Sequence, residues 1–155
     1  MNASQRKRYT PREWRERQAA GVWITLPSGL DVRVGSVGPE VILKSGRVPD
    51  SLTPLVADMV TGRTAKAATP LTKDQLESQL DLMDAIVACF IKEPRIVDHP
   101  EQDDELAISD IEWVDKEFLM ASVGQPLVAF ERFRDQQALD VERVSTEPAD
   151  EPPAE

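Results

Sequence analysis

The chain has 155 residues, 41% hydrophobic and 30% charged, enough for one domain with a modest core and solvated ends. A single cysteine, Cys89, excludes an intramolecular disulfide and fits a reducing compartment, and the longest apolar stretch, Ala85 to Ile91, is far too short to span a bilayer. The formal net charge of -10 is unevenly spread: residues 1–17 carry six basic side chains against Glu13 and Glu16, while residues 98–117 carry nine acids and one lysine.

Residues 1–10 are polar and basic and are expected to be a flexible head; no apolar run follows them, so no secretion signal is expected. "TPREWRERQAAG" predicts a short helix, with Thr10 as N-cap, Pro11 at the first position, Glu13 completing a capping box and Gly21 past the end. Trp14 and Ala20 are its candidates for an inward face. From Val22 to Val37 the pattern changes to alternation: Val22, Ile24 and Leu26, then Leu30, Val32 and Val34, joined by Pro27-Ser28-Gly29. This predicts a β-hairpin with a type I turn, whose apolar face must be covered and whose edges are open to a partner's strand.

Pro39 to Gly46 predicts about two turns of helix, and "VPDSLTPLVADMVTG" a further short one. In the latter, Thr53 is the expected cap, Leu55, Val56, Met59 and Val60 the stripe, and Gly62 the stop. Residues 63–70 read as a loop. The strongest helical signal is "LTKDQLESQLDLMDAIVACFIKEP": Thr72 and Gln75 form a capping box, and Leu76, Leu80, Met83, Ile86, Val87, Phe90 and Ile91 recur at three- and four-residue steps until Pro94. After the acidic loop "VDHPEQDDE", Ser109 and Glu112 suggest another capping box, with Ile108 as a staple and Gly124 as the stop. "QPLVAFERFRDQQA" then gives a last helix. From about Asp140 the acids and prolines predict a disordered tail.

The fold class is therefore mainly α: a small helical domain with one N-terminal β-hairpin and disordered termini, with α+β as the alternative label. A single globular unit is expected over residues 11–139, with the hairpin at about 22–37 and helices at about 39–62, 72–93 and 109–137.

Little of the sequence points to catalysis. Cys89 lies in an apolar helical run, as an inert structural thiol does, and His99 stands among acids with no second histidine at helical spacing and no EF-hand pattern. The glycines fall at turns and helix ends rather than in a phosphate-cradling loop. An enzyme, a metal site and a cofactor are not expected, and neither a nucleic-acid nor a membrane partner is. The basic head interleaves Arg with Tyr9 and Trp14, but it is short and belongs to an acidic chain.

The order "EWRERQAAGVWITLPSGLDVRVGSVGPEVILKSGRVPDSLTPLV" resembles the N-terminal part of tail assembly chaperones of long-tailed, non-contractile bacteriophages, especially those of actinobacterial hosts. The shared features are an aromatic-rich hairpin around Trp23 and Leu26-Pro27-Ser28-Gly29-Leu30, then a short helix leading to Pro49-Asp50. "DIEWVDKEFLMASVGQPLVAFERFR" resembles their C-terminal helical pair. The basic head, the acidic tail and Gly35 depart from the pattern. The resemblance implies a non-enzymatic protein of the host cytoplasm that binds and solubilises the tape measure protein. It further implies recruitment of tail tube subunits, absence from the mature virion and, often, a frameshift-extended form. A second copy of the chain is a further expected partner. The expected client surface lies on apolar residues of the central and last helices: Leu80, Met83, Phe90, Trp113, Phe118, Phe130 and Phe133. Two other classes compete: a structural minor tail or head-tail connector protein, and an acidic inhibitor that mimics DNA.

Overall fold

A computed structural model of the chain describes residues 8–61 and 70–146, and shows a mainly α fold with a small sheet. Helix α1 (Pro11–Ala20) starts on the expected capping box: Thr10 Oγ1 accepts from the Glu13 backbone N–H, and the Glu13 carboxylate accepts from the Thr10 N–H. Gly21 ends it at φ 67°, a conformation that favours glycine. The helix buries no residue, so Trp14 and Ala20 do not face inward as expected; both are exposed. Tyr9 and Thr10 are engaged rather than loose, since Tyr9 stacks on Trp14 and beneath the Arg17 guanidinium.

Strands β1 (Val22–Thr25) and β2 (Asp31–Val34) form the hairpin in the register Val22 to Val34, Ile24 to Val32. Gly29 donates to the Leu26 carbonyl at 2.8 Å, Leu26 donates to the Leu30 carbonyl at 2.8 Å, and Gly29 takes φ 96°. This is a three-residue loop built on a type I turn, in which only the third position needs glycine. Val22, Ile24, Leu26, Val32 and Val34 are buried, as the alternation demands.

Helix α2 (Pro39–Lys44) buries Ile42, and a 3-10 turn at Asp50–Leu52 runs directly into α3 (Thr53–Thr61). Thr53 is therefore helical rather than a cap, and Pro49 precedes the turn with extended backbone. Val56 is buried and Leu55 half-buried; Met59 and Val60 of the expected stripe are helical with their side chains not described, and Gly62 and residues 63–69 of the expected loop lie outside the described residues.

Helix α4 (Lys73–Phe90) has its capping box in place, Thr72 with Gln75. It stops three residues before the expected end. Ile91–Glu93 is a strand, β3, which pairs antiparallel with β2 and makes a three-stranded sheet in the order β1-β2-β3. The physical reason lies in Pro94, which disfavours helical backbone at Glu93, while the β-branched Ile91 fits a half-covered sheet. The chain continues through a cis Glu93–Pro94 bond to β4 (Arg95–Ile96), which pairs in parallel with β5 (Glu105–Leu106) and closes the acidic loop.

A 3-10 turn at Ile108–Asp110 leads to α5 (Trp113–Ala121). The expected Ser109/Glu112 capping box does not form. Instead Asp110 accepts from the Ala107 N–H, and Glu112 is the N-cap with no side-chain bond. Helix α6 (Leu127–Thr146) passes the expected boundary at 139 by seven residues, so 140–146 are helical and the expected tail begins no earlier than 147, outside the described residues. No glycine or proline follows Pro126 until Pro148, and Gln136 bonds Asp140 one turn on. The core gathers the inner faces of the hairpin, α4 and α6 with Ile42, Val56, Ile111 and Leu119.

Candidate partner-binding surface

The two segments that carry the resemblance touch each other. Ser28, at the tip of the hairpin, donates both its backbone N–H (2.9 Å) and its hydroxyl (2.5 Å) to the carboxylate of Asp115 on the first turn of α5. Asp115 is the buried charged residue among the described residues, at 1% exposure. A buried carboxylate is tolerated only when hydrogen bonds replace its water, and the turn supplies two. Leu26, Pro27, Ser28, Gly29 and Leu30 thus have separate parts. Leu26 fills the core, Pro27 and Gly29 shape the turn, Ser28 ties it to α5, and Leu30 packs half-buried on the core. The sequence shows that the turn needs proline and glycine; nothing in it shows why serine stands between them.

The seven expected client residues do not form one surface. Phe90 (0% exposed) and Phe130 lie in the core with their rings 6.1 Å apart, edge to face. Their helical spacing marked core. Met83, Phe118 and Phe133 are half-buried against that core, and Phe118 and Phe133 stack at 4.7 Å. Leu80 (37%) and Trp113 (55%) are exposed. The expectation missed other exposed apolar side chains: Leu71, Leu76, Val114, Leu139 and Val141 on or beside the helices, and Val41 and Leu43 on α2. Pro49 and Asp50 of the resemblance open the 3-10 turn before α3 and are exposed.

The expectation of open hairpin edges is corrected for β2, whose edge is taken by β3. β1 remains the outer strand of the sheet, and at its end the amide of Gln137 on α6 donates to the Thr25 carbonyl at 3.0 Å. A shallow groove remains between β1 and α6, lined by Trp23, Thr25, Asp31, Arg134, Gln137 and Val141.

Polar contacts hold α1 beside the sheet. The Lys92 ammonium donates to the carbonyls of Gln18 (2.8 Å) and Ala19 (3.0 Å), and Arg33 donates to Ala20 (2.8 Å) while pairing with Glu93. Two cations thus meet the negative end of the helix dipole. Burial, and then the nearby Arg33 charge, pull the Lys92 pKa below its ordinary value. Arg17 reaches Glu131 on α6 at 2.5 Å, a bond that raises the Arg17 pKa. At Gly35, which departs from the resemblance, a Cβ would stand 2.5 Å from Lys92 Cε, so a larger residue there would shift the end of the lysine that holds the Gln18 and Ala19 carbonyls.

His99 is exposed in the acidic loop, and the described residues contain no group of three His, Cys, Asp or Glu placed to hold a metal ion. None of their helices is long and apolar enough to cross a membrane.

A small mainly α domain, with a three-stranded sheet locked to its fifth helix and apolar side chains left outside its core, is what these observations define. The chain belongs to DUF7391, a family of unknown function, whose profile matches residues 12–145. No curated protein and no solved structure matches it.

Proposed function

We propose that this protein is a tail assembly chaperone, which acts by binding rather than by chemistry. It holds the tape measure protein soluble in the host cytoplasm, helps recruit tail tube subunits, and leaves before the virion is complete. The sequence motifs that suggested the reading span most of the family match, and Ser28 and Asp115 join the two that lie farthest apart. The observation that carries it is the set of apolar side chains held outside the core on α4 and α5, Leu76, Leu80 and Trp113. Such exposed groups suit a helical client, which offers apolar positions at three- and four-residue steps. The acidic surface keeps coated clients apart by mutual repulsion.

The test is co-expression with the tape measure protein. The client is expected to move from the pellet to the soluble fraction and to co-purify. A client that stays insoluble and unbound refutes the reading, and detection of the polypeptide in purified particles favours a structural tail component instead.

A further inference from the structure

We propose that the outer face of α1 binds the acidic, proline-bearing segment 147–155 of a second copy of the chain. Tyr9, Pro11, Trp14 and Arg15 line a shallow hollow on that face. Its walls are preformed. The Tyr9 and Trp14 rings sit 5.9 Å apart, and the Arg17 guanidinium, held by Glu131, lies 4.9 Å from the first ring and 5.9 Å from the second. Trp14 is nonetheless 47% exposed and α1 buries no residue, so these rings serve no core. Charge around the hollow has one sign. Glu13 and Glu16 stand about 100° or more round the helix from each of Pro11, Trp14 and Arg15, and both are engaged, Glu13 by the Thr10 cap and Glu16 by Arg12 at 2.8 Å. Arg15 donates to the Pro11 carbonyl at 3.2 Å, and neither it nor the exposed Arg8 has a carboxylate partner among the described residues.

The matching chemistry is in the same sequence. Residues 147–155, outside the described residues, carry Glu147, Asp150, Glu151 and Glu155 with no basic residue, and Pro148, Pro152 and Pro153 among them. Proline-rich segments dock in aromatic-lined grooves, and arginine pairs with the carboxylates beside them. Reach makes the donor a second copy. Thr146 stands fifteen residues, about 22 Å, along α6 from Glu131, the residue that holds Arg17 at the hollow. Pro152 is six residues further on, about 20 Å at full extension, so the proline pair of the same chain does not return to the level of Glu131. A single-stranded nucleic acid also suits rings and arginines, but it brings a charge with every nucleotide onto a chain of net charge -10. The proposal is independent of the client reading above, which the co-expression test decides.

The experiment is sedimentation equilibrium of the full chain over a range of concentrations. The natural chain is expected to self-associate reversibly, and less so at about 1 M salt than at about 0.1 M. Trp14→Ala with Arg15→Ala on α1, and separately Glu147→Gln, Asp150→Asn and Glu151→Gln on the segment, are each expected to weaken association about tenfold or more. The melting temperature is expected to hold in both, because Trp14 and Arg15 are exposed and α1 buries no residue. Mixing the two variants is expected to give a heterodimer, since one keeps the α1 face and the other keeps the segment. A natural chain that stays monomeric at every concentration overturns the proposal, and so does association that either variant retains in full. A monomer whose α1 amide resonances shift when the segment is changed assigns the occupant to the same chain instead. A labelled single-stranded oligonucleotide that binds the natural chain and not the α1 variant assigns the face to nucleic acid, and the proposal falls.

Discussion

The hairpin and α1 are separated by Gly21 alone, yet they are attached to the molecule by opposite means. The hairpin puts Val22, Ile24, Leu26, Val32 and Val34 into the core, whereas α1 buries no residue and rests on Lys92, Arg33 and the Arg17–Glu131 pair. Burying a Val, Leu or Ile side chain is worth roughly 1.5–3 kcal/mol, and salt does not screen it. A polar contact near the surface contributes about 1 kcal/mol or less, and salt weakens an ionic one. Two neighbours in sequence therefore differ in how they open: α1 is able to detach while the body stays folded, but the hairpin leaves only with the core.

The largest effect expected of a single change is on the apolar side of this contrast. Phe90→Ala empties a site at 0% exposure beneath the sheet and beside Phe130, and is expected to cost about 3–5 kcal/mol in denaturant unfolding, with the hairpin and α1 lost together. Ser28→Ala removes one of two donors to the buried Asp115 carboxylate and is expected to cost about 1–3 kcal/mol, with the hairpin tip loosened from α5. Gly21→Ala acts at the joint between the two regions. A Cβ there would stand 2.4 Å from the Val34 carbonyl oxygen, at φ 67°, so a loss above about 1 kcal/mol is expected.

On the polar side, Lys92→Met removes the donor to the last turn of α1 but keeps the stem that fills the space over Gly35. The expected cost is about 0.3–1 kcal/mol, the range for a cation at a helix C-terminus. Hydrogen exchange is expected to accelerate in α1 with little change in the melting temperature. If exchange accelerates throughout the core instead, α1 is not separately attached and the contrast fails.

The parts legible in the sequence are those set by local rules. The capping boxes at Thr10 and Thr72, the Pro27-Ser28-Gly29 turn and the alternating hairpin all follow from contacts within a few residues. The parts that were not legible depend on distant partners. Ile91 continues the helical period of α4 and became strand because Val34 was there to pair with it. Trp14 sits on a well-formed helix that buries no residue. Phe90 and Leu80 share one stripe, and only the extent of the body beneath it decides which is core and which is surface. Acidic composition beyond Asp140 suggested a tail, but the absence of a breaker between Pro126 and Pro148 was the better guide to residues 140–146, which are helical.

The acidic loop between β4 and β5 is a second segment held by polar contacts, and pH tests it where salt and mutation test α1. The Glu105 carboxylate, at the start of β5, accepts the backbone N–H of Glu101 (2.9 Å) and Gln102 (3.3 Å) and pairs with Arg95, and its side chain is only 6% exposed. The Glu101 N–H, then the Arg95 guanidinium, hold its pKa below the ordinary 4.5, because each interaction favours the charged form. A carboxylate with a depressed folded-state pKa contributes stability that is complete above the unfolded value and is lost as pH falls through the folded one. The expected titration by NMR is a Glu105 midpoint below 4.5, with the Glu101 and Gln102 amides losing protection at that same midpoint and the hairpin amides unaffected. Simultaneous loss of hairpin protection would mean that the loop and core open as one unit, and the division between polar-held and core-held segments would then end at α1.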